Sequence, residues 1–110
     1  MRQARILNHD IFAGILTEDE NGYSFKYDPE YLNSENAEAI SLTLPLSDKT
    51  YNGKILFPFF DGLIPEGWLL DIIEKNWKIN RRDRMSLLLA CCKDCIGSVS
   101  VVPTNNEELL

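Results

Sequence analysis

Cys92-Lys93-Asp94-Cys95 has the spacing of a Cys-x-x-Cys pair, with Cys91 beside it. A structural zinc site needs four ligands, and only Cys91 and the distant His9 could complete this one. A redox pair works best at a helix N-terminus, where the dipole stabilises a thiolate. Here Met85, Leu88, Leu89 and Cys92 repeat at helical spacing, which puts the cysteines at a helix C-terminus, the end of the wrong sign. The cluster therefore reads as small thiols in a core, and a metal or redox role is the alternative. His9 is the only histidine and reads as an exposed turn residue, so no triad can be assembled around it. The glycines stand at 14, 22, 53, 62, 67 and 97, and none forms a phosphate-loop or dinucleotide spacing. Asp61 and Glu66 could act as an acid–base pair. Their simpler roles are a local hydrogen bond or cap for Asp61 and a helix start for Glu66, where the dipole favours a carboxylate. These residues point to no catalysis, no metal and no cofactor.

The strongest non-catalytic candidate is a binding stretch. Ile55 to Leu70 holds three of the five Phe, two of the five Pro and one of the two Trp. That much apolar surface must be buried in a core or against a partner. Gly62, Pro65 and Gly67 interrupt it, so it cannot be one smooth helix. It reads as a short buried helical turn, a Pro-Glu-Gly bend, and a longer helix from Trp68 to Lys78. Leu69, Ile72, Ile73 and Trp77 share one face of that helix, and Trp68 lies at the edge of the face. Trp68 has two readings: an interface anchor beside a rigid bend, or a side chain packed over the sheet edge. The candidate partner-binding residues are Phe60, Asp61, Ile64, Pro65, Glu66, Gly67 and Trp68.

The elements that position this stretch follow from pattern. Arg2–Leu7, Ile11–Thr17 and Tyr23–Tyr27 read as an antiparallel meander, turned at Asn8-His9-Asp10 and over Glu18–Gly22, a polar turn ending in the hairpin signal Asn-Gly. Asp28 and Pro29 read as the cap and first residue of a helical turn. Ala39–Leu44 alternates as a fourth strand with Ile40, Leu42 and Leu44 on one face, and Ser47–Lys54 reads as a loop. Asn80 reads as the N-cap of a second helix, with Asp83 completing a short capping box. Ser98–Val102 reads as a last strand. The expected fold is α+β: a small antiparallel sheet, a meander plus additional strands, packed with two helices of the C-terminal half. The domain is expected over residues 1–103, with a polar tail at 104–110.

A net charge of −6 and a pI near 4.7 argue against direct binding of nucleic acid, which needs a positive surface. Lys75, Lys78, Arg81, Arg82 and Arg84 form the one basic cluster. They read as a solvated helix junction, with a phosphate or an acidic partner as the alternative. No run of 18 apolar residues exists and the N-terminus is polar, so neither a membrane span nor a signal peptide is expected. Three cysteines without a disulfide framework fit a reducing, cytoplasmic compartment.

Four segments together resemble the first N-terminal subdomain of the HipA-type serine/threonine kinase toxins. They are Phe25–Leu32, Ile40–Leu46, Phe59–Gly67 and Lys93–Val99, in the family's order. In that family the subdomain precedes a kinase core, and the 110 residues hold none of the core's catalytic residues. The resemblance therefore implies a HipS-like antitoxin of a HipBST-type toxin–antitoxin system. Such a protein neutralises a HipT-like kinase, with a HipB-like DNA-binding protein in the same set. The alternative sign is an activating or positioning subunit of a split kinase. Cys92 stands where the family's helix usually ends in Gly, and Trp68 after the Pro-Glu-Gly is not typical of the full-length kinases.

Overall fold

The computed structural model describes residues 1–92 and 98–104, with Trp68 described in its backbone alone. Cys95, the Lys93–Gly97 motif and the polar tail beyond Thr104 lie outside the described residues. The chain forms β1 (Arg2–Asn8), β2 (Ile11–Asp19), β3 (Gly22–Tyr27), α1 (Pro29–Leu32), β4 (Tyr51–Gly53), α2 (Pro58–Asp61), α3 (Gly67–Trp77), α4 (Arg84–Cys91) and β5 (Val99–Pro103). The strands make one antiparallel sheet in the order β4-β3-β2-β1-β5, so the fold is α+β.

Both tight turns of the meander have a local cause. His9 and Asp10 take positive φ values of 51° and 64°, as a two-residue hairpin turn matched to strand twist requires. The second turn centres on Glu20-Asn21, with the Asn21 amide bonded to Asp19 Oδ1 at 2.8 Å. Gly22 follows at φ 132°, and a Cβ there would sit 2.9 Å from Lys54 Cα. Glycine is thus what lets β4 close on the hairpin. Ile6 faces Gly14 while Leu7 faces Phe12, so Ala13 is the extra residue of a β-bulge.

One face of the sheet is buried. Ala4, Ile6, Leu16, Phe25, Tyr27, Val99 and Val101 cluster with Phe60, Ile64, Leu70, Met85, Leu87 and Leu88 from the helices. Phe25 and Phe60 meet tilted, with 5.7 Å between ring centres, and Phe25 meets Tyr27 edge-on at 4.9 Å. Asp28 caps α1, its Oδ2 accepting from the Tyr31 amide at 3.3 Å, with Pro29 at the first helical position. The Tyr31 hydroxyl takes the Asn8 side-chain amide at 3.0 Å and donates to the Glu38 carbonyl at 2.6 Å. Asn8, a buried polar residue, is satisfied in this way.

Three expectations are corrected. Residues 39–44 form a tight turn closed by a Ser41–Leu44 bridge, not a fourth strand. The Tyr27 hydroxyl accepts from the Ile40 amide at 3.0 Å and donates to the Leu44 carbonyl. Ser41 Oγ accepts the Thr43 amide at 3.2 Å. Side-chain hydroxyls thus take the bonds that a ladder would supply. Ile40 and Leu44 are buried while Leu42, at the tip, is 99% exposed. The fourth strand is instead Tyr51–Gly53, within the segment read as a loop. Finally, the N-cap of α4 is Asp83, which accepts from the Ser86 amide at 3.2 Å. Asn80 accepts from the Arg82 amide at 2.8 Å and makes the turn before it.

Arg2 ties α4 to the sheet. Its guanidinium reaches Glu18 Oε1 at 2.6 Å, Asp83 Oδ1 at 2.8 Å and Ser86 Oγ at 2.6 Å. Burial alone would raise the Asp83 pKa, but the bonds from Arg2 and Ser86 outweigh it and hold the carboxyl below its ordinary value. Tyr23 bonds Glu18 Oε2 at 3.1 Å. Its hydroxyl is pushed up to about 12, first by burial and then by that bond.

Candidate partner-binding surface

The stretch from α2 into α3 turns from core to surface within a few residues. Pro58 starts α2, where its missing N–H costs nothing. Phe60 is fully buried among Phe25, Phe57 and Phe59. Backbone bonds from Leu63 to Phe60 and from Ile64 to Asp61 close the turn, and Ile64 is buried. Asp61 accepts from Arg84 Nε at 2.6 Å. That pair fastens α2 to α4, so Asp61 serves a long-range ion pair and not the local bond expected from the sequence. Pro65 is half-buried, and Glu66 and Gly67 are exposed.

Glu66 is the N-cap of α3 but makes no side-chain capping bond. Gly67 enters the helix at φ 64°, with nothing within 4 Å of an added Cβ. The glycine is needed there for its backbone angle, not for space. The Trp68 side chain, with both of its readings, lies outside the described residues. Of the seven candidate contacts, Phe60 and Ile64 are core residues that support the bend from beneath. Pro65, Glu66 and Gly67 are at least partly at the surface.

α3 itself departs from its pattern. Among its described side chains Leu70 is buried and Ile73 is half-buried, while Leu69, Ile72 and Trp77 are 41%, 43% and 55% exposed. The face marked by spacing thus points largely away from the body. The basic cluster also divides. Arg81 is held by Asp71 and by Glu74, the latter at 3.0 Å, and these bonds raise the Arg81 pKa and lower that of Glu74. Arg84 is held by Asp61. Lys75, Lys78 and Arg82 are exposed and their side chains have no ion-pair partner among the described residues. Sequence spacing marked the stripe and the cations, but not which of them the fold leaves uncovered.

Among the described residues no three His, Cys, Asp or Glu side chains come together as a metal site. Cys92 is buried, with its Sγ donating to the Leu63 carbonyl at 3.4 Å. No described helix is long and apolar enough to cross a membrane.

A five-stranded antiparallel sheet with four helices, leading to a surface bend and the exposed face of α3, defines an α+β domain. Residues 4–102 match the HipA N-terminal domain model, and the chain belongs to that family. It is 30% identical over 101 residues to an uncharacterized protein of Haemophilus influenzae, covering 92% of both chains. It is 26% identical over 98 residues to Y4mE of Sinorhizobium fredii, named as a candidate kinase, and spans only 23% of that protein. In three dimensions it is similar to the N-terminal domain of a HipA toxin, with a TM-score of 0.74, 27% identity, and 96% and 94% of the two chains covered. It also shares its fold with a chain of the Shewanella oneidensis HipA, HipB and operator DNA complex, at a TM-score of 0.74 and 23% identity. The match covers 93% of this chain and 24% of that one.

Proposed function

We propose that this chain is a non-catalytic binding subunit: a HipS-like antitoxin that docks on a HipT-like serine/threonine kinase and neutralises it. The observation that carries the reading is a contrast among relatives. The same domain makes up 92% of the Haemophilus protein but 23% of the candidate kinase Y4mE. A domain found both as nearly a whole protein and as one part of a longer one is suited to bind in trans the body that it is joined to elsewhere. The contact runs through the bend Pro65-Glu66-Gly67 and Trp68 at the start of α3, with Trp68 as the anchor. A HipB-like DNA-binding protein belongs to the same assembly, by analogy with the complex of HipA, HipB and operator DNA.

Coexpression with a HipT-like kinase tests docking, and a kinase assay with and without this chain gives the sign, with inhibition expected. Trp68→Ala is expected to weaken neutralisation by about 2 kcal/mol or more, as truncation of an aromatic anchor does, while the melting temperature holds. Full neutralisation by that variant would remove Trp68 from the mechanism. A rise in kinase activity on adding the chain would make it an activating subunit instead.

A further inference from the structure

α3 carries more apolar surface than its fold uses. An eleven-residue helix is marginal alone and depends on packing of its apolar face. Yet among its described side chains Leu70 is the buried one, while Leu69, Ile72 and Trp77 lie open. The other large apolar residues exposed to this degree sit at the N-terminus, at the start of a strand, or in turns and loops. Among the described residues, only on α3 do three share one element. Lys75 stands three residues from Ile72 and so beside it on the helix surface, Lys78 directly follows Trp77, and Arg82 lies in the connection to α4. These three cations keep no ion-pair partner among the described residues, whereas Arg81 and Arg84 are both satisfied. In a chain of net charge −6, an apolar stripe beside unpaired cations is a local reversal of sign.

We propose that this face of α3, with Leu69, Ile72 and Trp77 at its centre and Lys75, Lys78 and Arg82 at its rim, docks on an apolar, carboxylate-rimmed surface of the partner kinase. The inference rests on the reading that the partner is a separate kinase subunit, and it extends the contact along the helix beyond the Pro65–Trp68 bend. Charge complementarity fixes the rim of the partner surface as acidic. Apolar burial supplies the affinity, and the rim supplies orientation and encounter rate.

The test is binding of the full chain to the kinase across a salt series, with melting temperatures recorded for every variant. Ile72→Glu and Leu69→Glu are each expected to weaken binding about tenfold or more, through faster dissociation. The double variant Lys75→Glu/Lys78→Glu is expected to slow association about tenfold and to flatten the salt dependence. Wild-type binding by Ile72→Glu, with the wild-type chain bound to the kinase, would overturn the stripe alone and leave the antitoxin reading standing. Failure of the wild-type chain to bind the kinase would overturn that reading and this one with it. A free chain that is dimeric, and made monomeric by Ile72→Glu, would assign the stripe to a second copy and overturn the proposal.

Discussion

The aromatic face of the sheet and α3 have similar apolar content but opposite fates. Around Phe25, Tyr27, Tyr31 and Phe60, every ring is buried and each tyrosine hydroxyl is bonded. On α3, Leu69, Ile72 and Trp77 remain open to solvent. The difference lies in what surrounds each group. The rings sit on a pleated surface whose partners come from both ends of the chain. α3 leaves the body through a glycine at positive φ with no capping bond. It is fastened mainly by Leu70 and, through Arg81, to the connection that follows it. Hydrophobicity alone thus does not place a residue inside; the availability of a complementary surface does.

The largest effect is expected where the contrast is sharpest. Phe60→Ala would open a cavity beneath α2 and against Phe25, and it is expected to cost about 3–5 kcal/mol of stability in chemical denaturation. A loss near that expected for a surface residue would mean that α2 packs more loosely than its rings imply. Tyr27→Phe comes next. It keeps the ring but removes the hydroxyl that holds the Ile40 amide and the Leu44 carbonyl, and it is expected to cost about 1–3 kcal/mol because those backbone groups lose their partner. Faster hydrogen exchange of the Ile40 amide would trace the loss to the turn.

That turn also shows how far the sequence could be read. Alternation at Ile40, Leu42 and Leu44 is genuine, and its two ends are buried. Yet alternation records which side chains are apolar, not where the backbone bonds go. Here the Ser41 and Tyr27 hydroxyls claimed those bonds, while Asn52 and Gly53, poor strand formers, were recruited by the open edge of β3. The hairpins, the Asp28 cap and the break at Pro65–Gly67 were legible because each depends on neighbours in sequence. Asp83 won the cap over Asn80 through a long-range partner, Arg2, that no local pattern reveals. For the candidate surface, spacing grouped the α3 residues but could not fix the rotation of the helix. Leu69, Leu70, Ile72, Ile73 and Trp77 spread over nearly half its circumference, an arc of about 160° at roughly 100° per residue. Several rotations would bury a similar amount.

A smaller effect is expected at the junction between the two regions. Asp83→Ala removes the α4 cap and one arm of the Arg2 network, at a cost of about 1 kcal/mol near neutral pH. The pH dependence has a definite sign. The folded Asp83 carboxyl titrates below its ordinary value, so its contribution is complete above the ordinary carboxylate range. It is lost as pH falls through about 4 toward the lowered folded value. The gap between wild type and variant should therefore be full near neutrality and close in acid. A gap that stays constant with pH would mean that the cap acts through its geometry and not through its charge.

The smallest effect on folding is expected at Ile72, and for that reason it is the most discriminating. Ile72→Ser is expected to change stability by no more than about 0.5 kcal/mol, as exposed substitutions away from caps and networks do. Leu70→Ser, two residues away, would place a hydroxyl in the buried cluster and should be clearly destabilising in the same denaturation experiment. If the two results were exchanged, α3 would be rotated and the apolar stripe would be core. If they fall as expected, the chain retains at Ile72 an apolar side chain that folding does not need. Binding then becomes the remaining physical use for it.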